Sequence, residues 1–415
     1  MGQADTLLKL YGTSDPPQVL RDVSVGPLSF LYSQDGLRRI SWHGTELVRA
    51  LAWPIRDESW GTYPAKILGE EIDETGGFEA NLTFAVGKGR LVCDLRLRAS
   101  IDGVVAAEIT MTPTEGPFAT NRAGFTVLHP IKGFAGASLD VTHSNGTTET
   151  TTFPRHIQPD QPVKDIGGLS YGLGKHSVDI TFGEEVFEME DQRNWSDASY
   201  KTYCVPLVHP FVYEITKPLR QSIRMNFKGD VIPATANADQ QAIQIQTSDA
   251  RAPNVGLALE KGWIPQSPIS EINAAHVLLR TSPGDRDLPR LADFAKAFPA
   301  VDLEIVLPND APVDVGLREV ADAFASQGVT PARVLVLPEA YLGSHQPTGP
   351  WPDGVTPNDL LDATRSAFTK SDIGGGMMTN FTEVNRCRPD TTRCDYVTHG
   401  LTPLVHAGDD MSVLE

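Results

Sequence analysis

A change in the spacing of apolar residues near residue 250 is the feature that most restricts the fold of this chain. Before it, apolar and polar residues alternate in short runs such as LTFAVGKGRLVCDLRLRAS, and two Asp-Gly pairs (35–36 and 102–103) separate such runs. Alternation with a period of two is typical of strands with one buried face, and Asp-Gly is a hairpin signal. The pattern predicts a large antiparallel β-sandwich domain over residues 1–250.

After residue 251 compact apolar runs alternate with amphipathic segments. Continuously apolar runs are typical of strands buried on both faces. The predicted strands are 255–261, 276–281, 302–308, 333–341, 373–381 and 395–403. Repeated strand and helix units predict a parallel sheet or a TIM-like (β/α) barrel over 251–415. A complete barrel has eight strands, so we expect either an open sheet or an incomplete version of a longer chain.

The segments between these strands have helical spacing. LPRLADFAKAF (288–298) places Leu288, Leu291, Ala295 and Phe298 on one face. The other helix patterns are VGLREVADAFASQG, with Val315, Val320 and Phe324 on one face before Gly328, and TPNDLLDATRSAF, which begins with Thr-Pro. Glycine after the last turn and proline in the first turn are helix end signals.

Length and charge restrict the class of protein. The chain has 415 residues, 40% of them hydrophobic, which exceeds the usual size of a single core and predicts two domains. Its 35 basic and 53 acidic residues give a net charge of -18, which disfavours nucleic acid and anionic membranes as partners. No secretory signal or long apolar run is present, so we expect a cytoplasmic protein. The four cysteines are predicted to be free thiols.

Candidate catalytic residues follow the ends of two predicted strands. In parallel βα folds the reactive groups stand at the carboxyl ends of the strands. Glu339 follows the strand RVLVLP, and Glu383, Asn385 and Arg386 follow the next strand. Two carboxyl groups on neighbouring strand ends would lie close together, and their repulsion would split their pKa values into an acid and a base. Hydrolysis of a sugar acetal or a lactone requires such a pair. The alternative is that each glutamate caps a helix or pairs with an arginine.

The last predicted strand end offers His399, His406, Asp409 and Asp410. None of the spacings typical of a zinc site occurs, so we predict no metal and no cofactor, and His406 is the candidate for binding substrate hydroxyl groups. A buried structural histidine is the alternative for His406. The chain also lacks the G-x-S-x-G motif of α/β-type serine hydrolases.

The segment FEMEDQRNWSDASYKTY (187–203) concentrates charged, amide and aromatic side chains. Together with RDESWGTY (56–63), NRAGFTVLHP (121–130), FTEVNRCRP and LTPLVHAGDD, it resembles the bacterial D-apionate lactonase family of apiose catabolism. The resemblance implies a β-supersandwich domain followed by a TIM-like barrel related to those of glycoside hydrolases. It also implies hydrolysis of D-apionolactone to D-apionate. Members of that family continue for about two further strands, so we expect this chain to be shorter than its relatives.

Within this resemblance the 187–203 segment is predicted to reach over the barrel mouth. Asp191, Arg193, Asn194 and Asp197 would then bind sugar hydroxyl groups, and Trp195 would give a flat apolar surface for the ring. The alternative is a cluster of ion pairs that locks the two domains together, with Arg193 and Lys201 opposite Glu190 and Asp197. The sequence alone leaves both hypotheses open.

The predicted mechanism is carboxylate-assisted attack of water on the lactone carbonyl. Glu383 would act as general base, Glu339 or His406 would donate a proton to the ring oxygen, and Asn385 or Arg386 would stabilise the oxyanion. A glycoside hydrolase that uses the same carboxylate pair is one alternative. A catalytically incomplete carbohydrate-binding fragment is another. A small sugar lactone is the expected partner, and the sequence gives no prediction for the oligomeric state.

Overall fold

The computed structural model describes residues 6–9, 14, 19–230, 249–259 and 273–401. Its antiparallel strands are β1 (Arg21–Val25), β2 (Leu28–Ser33), β3 (Gly36–Trp42), β4 (Thr45–Ala52), β5 (Lys66–Asp73), β6 (Phe78–Val86), β7 (Leu91–Ser100), β8 (Val104–Pro113), β9 (Phe118–Thr120), β10 (Thr126–Pro130), β11 (Ser138–His143), β12 (Thr148–Thr152), β13 (Val163–Leu173), β14 (His176–Gly183), β15 (Phe187–Asp191), β16 (Ser199–Tyr203), β17 (Tyr213–Ile215) and β18 (Leu219–Lys228).

These strands form one large curled sheet, with β9 and β17 paired separately. Among the described residues the large sheet has 16 strands, with β1 to β4 at one end and β8 to β5 at the other. Its buried side chains, from Val23 to Phe227, form a single hydrophobic core. Both predicted hairpins are present: β2 pairs with β3 around Asp35, and β7 pairs with β8 through a turn in which Gly103 has a φ of 78°. A positive φ is the conformation that glycine adopts without strain.

The second domain contains parallel strands and helices in alternation. Its strands are β19 (Leu257–Leu259), β20 (Val277–Thr281), β21 (Val301–Leu307), β22 (Arg333–Pro338), β23 (Asp372–Asn380) and β24 (Tyr396–Gly400). Its helices are α1 (Leu288–Ala295), α2 (Val313–Ser326), α3 (Leu361–Ala367) and α4 (Phe381–Arg386). Short 3₁₀ helices occur in both domains: Gly87–Gly89 and Gln192–Trp195 lie in the first, and Glu339–Leu342 and Pro357–Leu360 lie in the second.

The six parallel strands of the described residues lie in chain order and form half of a barrel. The predicted fold class, an antiparallel β domain followed by an incomplete TIM-like barrel, is therefore confirmed. The outer ends of the first and last predicted strands (260–261 and 402–403) lie outside the described residues. The predicted boundary at residue 250 stays a prediction, because 231–248 also lies outside them.

Alternate side chains of the parallel strands separate two apolar layers. Leu303 and Ile305 of β21 pack with helices α1 and α2, whereas Val306 belongs to the layer on the opposite face. In α2 the buried positions include Val320 and Phe324, as predicted, but Val315 is 60% exposed. The prediction that Val315 lies on the buried face was wrong, because Gly316 and Leu317 occupy that face in its place. No helix in the described part of the chain is long and apolar enough to cross a lipid bilayer.

Candidate active site

The 187–203 segment forms strands β15 and β16, with the 3₁₀ helix Gln192–Trp195 as the connection between them. Asp191 is fully buried and caps this helix by accepting a hydrogen bond from the backbone N–H of Arg193 (3.2 Å). The Arg193 guanidinium donates to both Asp191 oxygens, at 2.9 and 2.7 Å, and to the carbonyl of Pro154 at 2.9 Å. These bonds fix the shape of the connection.

The tip of this connection contacts the helix that follows β23. Thr382 of α4 donates to the backbone carbonyl of Asn194, and the Asn385 side chain donates to Asn194 Oδ1 (2.9 Å) and to the Ile157 carbonyl (3.2 Å). We call these contacts, with the Asp191–Arg193 pair behind them, the interdomain joint. The side chains of Asn194, Thr382 and Asn385 are buried. The joint holds the β domain against the carboxyl end of β23.

Beside the joint lies an open cavity of about 540 Å³ between the two domains. The β domain supplies most of its wall, and the loop after β22 and helix α4 supply the rest. Its charged and aromatic lining residues are Arg56, Trp60, Arg122, Glu190, Trp195, Lys201, Tyr203, Phe211 and Arg386, and Ser344 and Gln346 also line it. We call this space the interdomain cavity.

A single carboxylate lines the interdomain cavity among the described residues, that of Glu190. Lys201 lies directly across the β15–β16 ladder from Glu190, and their side chains form an ion pair at 2.9 Å. The indole N–H of Trp195 donates to Glu190 Oε1 at 2.7 Å. These two contacts fix the orientation of the Glu190 carboxylate at the cavity wall.

Three guanidinium groups line the same cavity, those of Arg56, Arg122 and Arg386. Burial lowers the pKa of each of them below the usual arginine range. Arg386 donates weakly to Ser344 Oγ (3.4 Å) and the His345 carbonyl (3.3 Å), and it lies over the Trp195 ring. Within the described residues none of the three forms an ion pair. The cavity is therefore cationic although the whole chain has a net charge of -18.

Aromatic and hydrogen-bonded groups complete the wall. The Tyr203 hydroxyl donates to the buried carboxylate of Glu188 at 2.6 Å, and the Leu207 backbone N–H donates to the same oxygen at 2.6 Å. Burial is the main cause of the raised pKa of Tyr203. Trp60 and Phe211 pack against each other, with ring centroids 5.3 Å apart, and both rings lie beside the Arg122 guanidinium, at 5.6 and 5.5 Å.

The residues predicted from strand ends lie in different places. Glu383 is buried and completes the capping box of α4: its Oε2 accepts from the Asn380 backbone N–H (3.0 Å). Its Oε1 accepts from Ser344 Oγ (2.8 Å), which places Glu383 one hydrogen bond behind the cavity wall. Glu339 is exposed and is not among the residues lining the cavity. His406 lies outside the described residues. The structure therefore does not bring Glu339 and Glu383 together in one cleft.

The predicted binding residues divide between the joint and the cavity. Trp195 and Arg386 line the cavity. Asp191, Arg193, Asn194 and Asn385 belong to the joint, and Asp197 is buried in the same turn, where its backbone N–H donates to the Gln192 carbonyl (3.2 Å). Within the 187–203 segment Arg193 pairs with Asp191 and Lys201 pairs with Glu190. The binding of sugar hydroxyl groups by this segment stays a prediction.

Sequence reasoning missed most of the cavity. Glu190, Lys201 and Tyr203 were within the 187–203 segment, and Arg56 and Trp60 were within another segment that carries the family resemblance. The signal for them was that resemblance, shared by segments distant along the chain. Among the described residues, His, Cys, Asp and Glu side chains form no group of three that could hold a metal ion.

Two family models match this chain. Residues 8–230 match "D-apionate lactonase, N-terminal domain" and residues 265–415 match "D-apionate lactonase, TIM barrel domain". A D-apionate lactonase of Brucella anthropi is 33% identical over 440 aligned residues, which cover 100% of this chain and 71% of that protein.

Solved structures resemble the chain more distantly. An α-galactosidase of Geobacillus stearothermophilus aligns over 89% of this chain and 74% of its own, with 9% identity and a TM-score of 0.35. A putative aldose 1-epimerase of Escherichia coli K12 aligns over 51% of this chain and 99% of its own, with 9% identity and a TM-score of 0.34. Likenesses at these scores carry no inference about function.

Proposed function

Because this chain belongs to the D-apionate lactonase family, we propose that its interdomain cavity hydrolyses the ring ester of a sugar lactone, D-apionolactone, to the open-chain acid D-apionate. The observation that carries the proposal is one carboxylate, Glu190, in a cavity lined by four cationic side chains. The relative from Brucella anthropi bears the name of this activity, which supports the choice of substrate.

Lactone opening suits a cationic cavity because negative charge grows along the reaction. Water attacks the ring carbonyl, and its oxygen becomes an oxyanion as the new C–O bond forms. The ring C–O bond then breaks, the ring oxygen takes up a proton, and the new carboxylic acid loses its proton to solvent. Positive groups fixed beside the oxyanion stabilise it without reorganisation, and one such donor typically lowers the barrier by about 3 kcal/mol.

Glu190 is the proposed general base. Its carboxylate lies at the cavity wall, where it can take a proton from the attacking water and return it to the ring oxygen. Lys201 and Trp195 hold its orientation through the bonds described above. Arg386, which also lines the cavity, is the proposed oxyanion partner, as its sequence position suggested.

The earlier candidate for the base, Glu383, enters the proposal as a competing assignment. It reaches the cavity through the Ser344 hydroxyl, so it would act on water indirectly. Its bond to the Asn380 backbone gives it a structural role as a helix cap. Glu339 stays a prediction that the geometry does not support, because its side chain is exposed outside the cavity.

Glycoside hydrolysis is the rival activity, and it normally requires two carboxyl groups that flank the scissile bond. In the described part of the chain the cavity offers one. This difference favours ester hydrolysis over acetal hydrolysis.

The test compares Glu190→Gln with Glu383→Gln, using Glu79→Gln as a control in an exposed ion pair on the β domain. Proton release from D-apionolactone measures lactone opening, and aryl alcohol release from aryl glycosides measures the rival activity. We expect kcat/KM for the lactone to fall about 10²- to 10⁴-fold in Glu190→Gln. We expect a decrease of less than about tenfold in Glu383→Gln, since that side chain does not reach the water directly.

Each alternative outcome has a definite meaning. Lost activity in Glu383→Gln with near-normal activity in Glu190→Gln would return the base to Glu383. Turnover of aryl glycosides without lactone opening would replace the proposed function by the rival one.

A further inference from the structure

Arg122 is a buried cation whose hydrogen-bonding capacity is incompletely used. The residue is 6% exposed and lies beside the rings of Trp60 and Phe211 at the wall of the interdomain cavity. Nη1 donates to the Asn121 carbonyl (2.6 Å) and Nη2 to the Pro206 carbonyl (3.1 Å). Nε has no partner. A buried donor without a partner is unusual in a folded protein and calls for an explanation.

The charge of Arg122 is also uncompensated by any bonded carboxylate. Both of its acceptors are neutral backbone carbonyls, and the described residues give it no ion pair. Burial lowers its pKa, because a guanidinium removed from water loses solvation. An anion that entered the cavity would replace the lost solvation by compensating the guanidinium charge.

We infer that Arg122, with Arg386 on the same cavity, forms a receptor for the carboxylate of an open-chain polyhydroxy acid. This inference deepens the proposed function, on which it rests, because such an acid is the product of lactone opening. Guanidinium groups bind carboxylates through short charge-assisted hydrogen bonds, which are about twice as strong as neutral ones. The lactone and simple polyols carry no charge. The site therefore binds the acid more tightly than it binds these uncharged molecules.

The contacts of Arg122 within the protein hold its guanidinium in place. The two carbonyl bonds fix its rotation, and the adjoining rings of Trp60 and Phe211 pack beside it. Little side-chain entropy is then lost when the ligand binds, which is the advantage of a preorganised site. A consequence for turnover is inhibition by the acid product.

The test measures binding without turnover. D-erythronate, a four-carbon polyhydroxy acid, and erythritol, the uncharged polyol of the same length, serve as probes in calorimetric titrations of the full chain. We expect D-erythronate to bind wild type at least about tenfold more tightly than erythritol does. Charge-assisted bonds of this kind set the expected loss in Arg122→Gln at about 10- to 100-fold for D-erythronate, with erythritol unchanged.

Arg90→Gln is the matched control. Arg90 also lies over an aromatic ring, that of Phe118 at 5.9 Å, and also donates to a backbone carbonyl, that of Pro117 at 2.9 Å, but it is exposed outside the cavity. We expect its binding of D-erythronate to equal that of wild type.

Equal affinities of wild type for D-erythronate and erythritol would overturn the inference, and this comparison requires no variant to fold. An unchanged D-erythronate affinity in Arg122→Gln would overturn it as well. Lactone hydrolysis without preference for the acid would reject the receptor but keep the proposed function. Preference for the acid without lactone hydrolysis would reject the proposed function but keep the receptor.

Discussion

Polar side chains on the two faces of strands β10, β15 and β16 lie in different surroundings: one face, the core face, is buried in the β domain, and the other, the cavity face, lines the interdomain cavity. On one face Asp191 is bonded to Arg193 and Gln158, and His129 is bonded to Tyr171 and Thr202, all within the core. On the other face Glu190, Lys201 and Tyr203 line the interdomain cavity beside guanidinium groups that form no ion pair with the residues that the structure describes. Successive residues of a strand point to opposite faces, so Glu190 and Asp191 are neighbours in the chain with different surroundings.

The surroundings of each polar side chain therefore distinguish structural groups from candidate binding groups within one segment. Buried polar side chains whose bonds are all made within the protein stabilise the fold and have nothing left for a ligand. Those on the cavity face keep charged groups beside the space that a ligand would enter, as Arg122 and Arg386 do. Substitutions on the two faces are therefore expected to differ in their effect on unfolding.

Asp191→Ala removes the carboxylate that accepts both guanidinium hydrogen bonds of Arg193 on the core face. The pair is bidentate and Asp191 is fully buried, so its loss leaves a guanidinium without a counter-ion. Breaking such a pair typically costs about 3–5 kcal/mol of unfolding free energy. Urea unfolding followed by circular dichroism measures this loss.

Asp179→Ala is the control for Asp191→Ala. Asp179 pairs with Lys228 at the surface, where loss of one partner typically costs about 0–1 kcal/mol. Equal losses in the two variants would show that Asp191 does not stabilise the core face as described.

Asn385→Ala tests the interdomain joint and is expected to have a smaller effect. The change leaves Asn194 Oδ1 and the Ile157 carbonyl without their donor. Leaving buried acceptors unsatisfied costs about 1–3 kcal/mol. We expect the β domain and the barrel domain to unfold in more widely separated transitions in calorimetry, because this bond joins them.

Asn81→Ala, which changes an exposed amide on the β domain, serves as the control for the joint. Such surface changes usually stay within about 0.5 kcal/mol. If Asn385→Ala also left the calorimetric profile unchanged, the contacts of Asn385 would not contribute to holding the domains together.

The fold was largely predictable because its signals are local. Period-two alternation, Asp-Gly turns and apolar runs are properties of short segments, and they located β7, β8 and the parallel strands. Val315 was misplaced because helical spacing alone admits more than one face of α2, and packing against the sheet selected the face that carries Leu317.

The site was less predictable because it depends on pairing between distant segments. Lys201 faces Glu190 only through the β15–β16 register, and β10 and β4 bring Thr126 and Pro54 to the same cavity. The sequence also could not say which face of β15 was buried. Positions at strand ends therefore predicted Glu383, which caps α4, and did not predict Glu190.

The most gradual expected effect is a pH dependence contributed by His129 on the core face. Burial lowers the pKa of His129 to about 3, whereas an unfolded histidine titrates near ~6.5. Between these values the unfolded chain binds a proton that the native state does not, so stability falls as the pH falls through this window. The contribution approaches about 1.4 kcal/mol per pH unit for one proton. Below about pH 3 the slope vanishes, because both states then bind the proton.

His129→Gln keeps a polar side chain between Tyr171 and Thr202 but cannot take up that proton. We therefore expect the plot of unfolding free energy against pH to be flatter for the variant than for wild type between about pH 6 and about pH 4. Urea unfolding at several pH values measures both slopes, and the comparison holds even if the variant is less stable throughout. Parallel plots would mean that burial does not lower the pKa of His129. The contrast between the core face and the cavity face would then not hold for this residue.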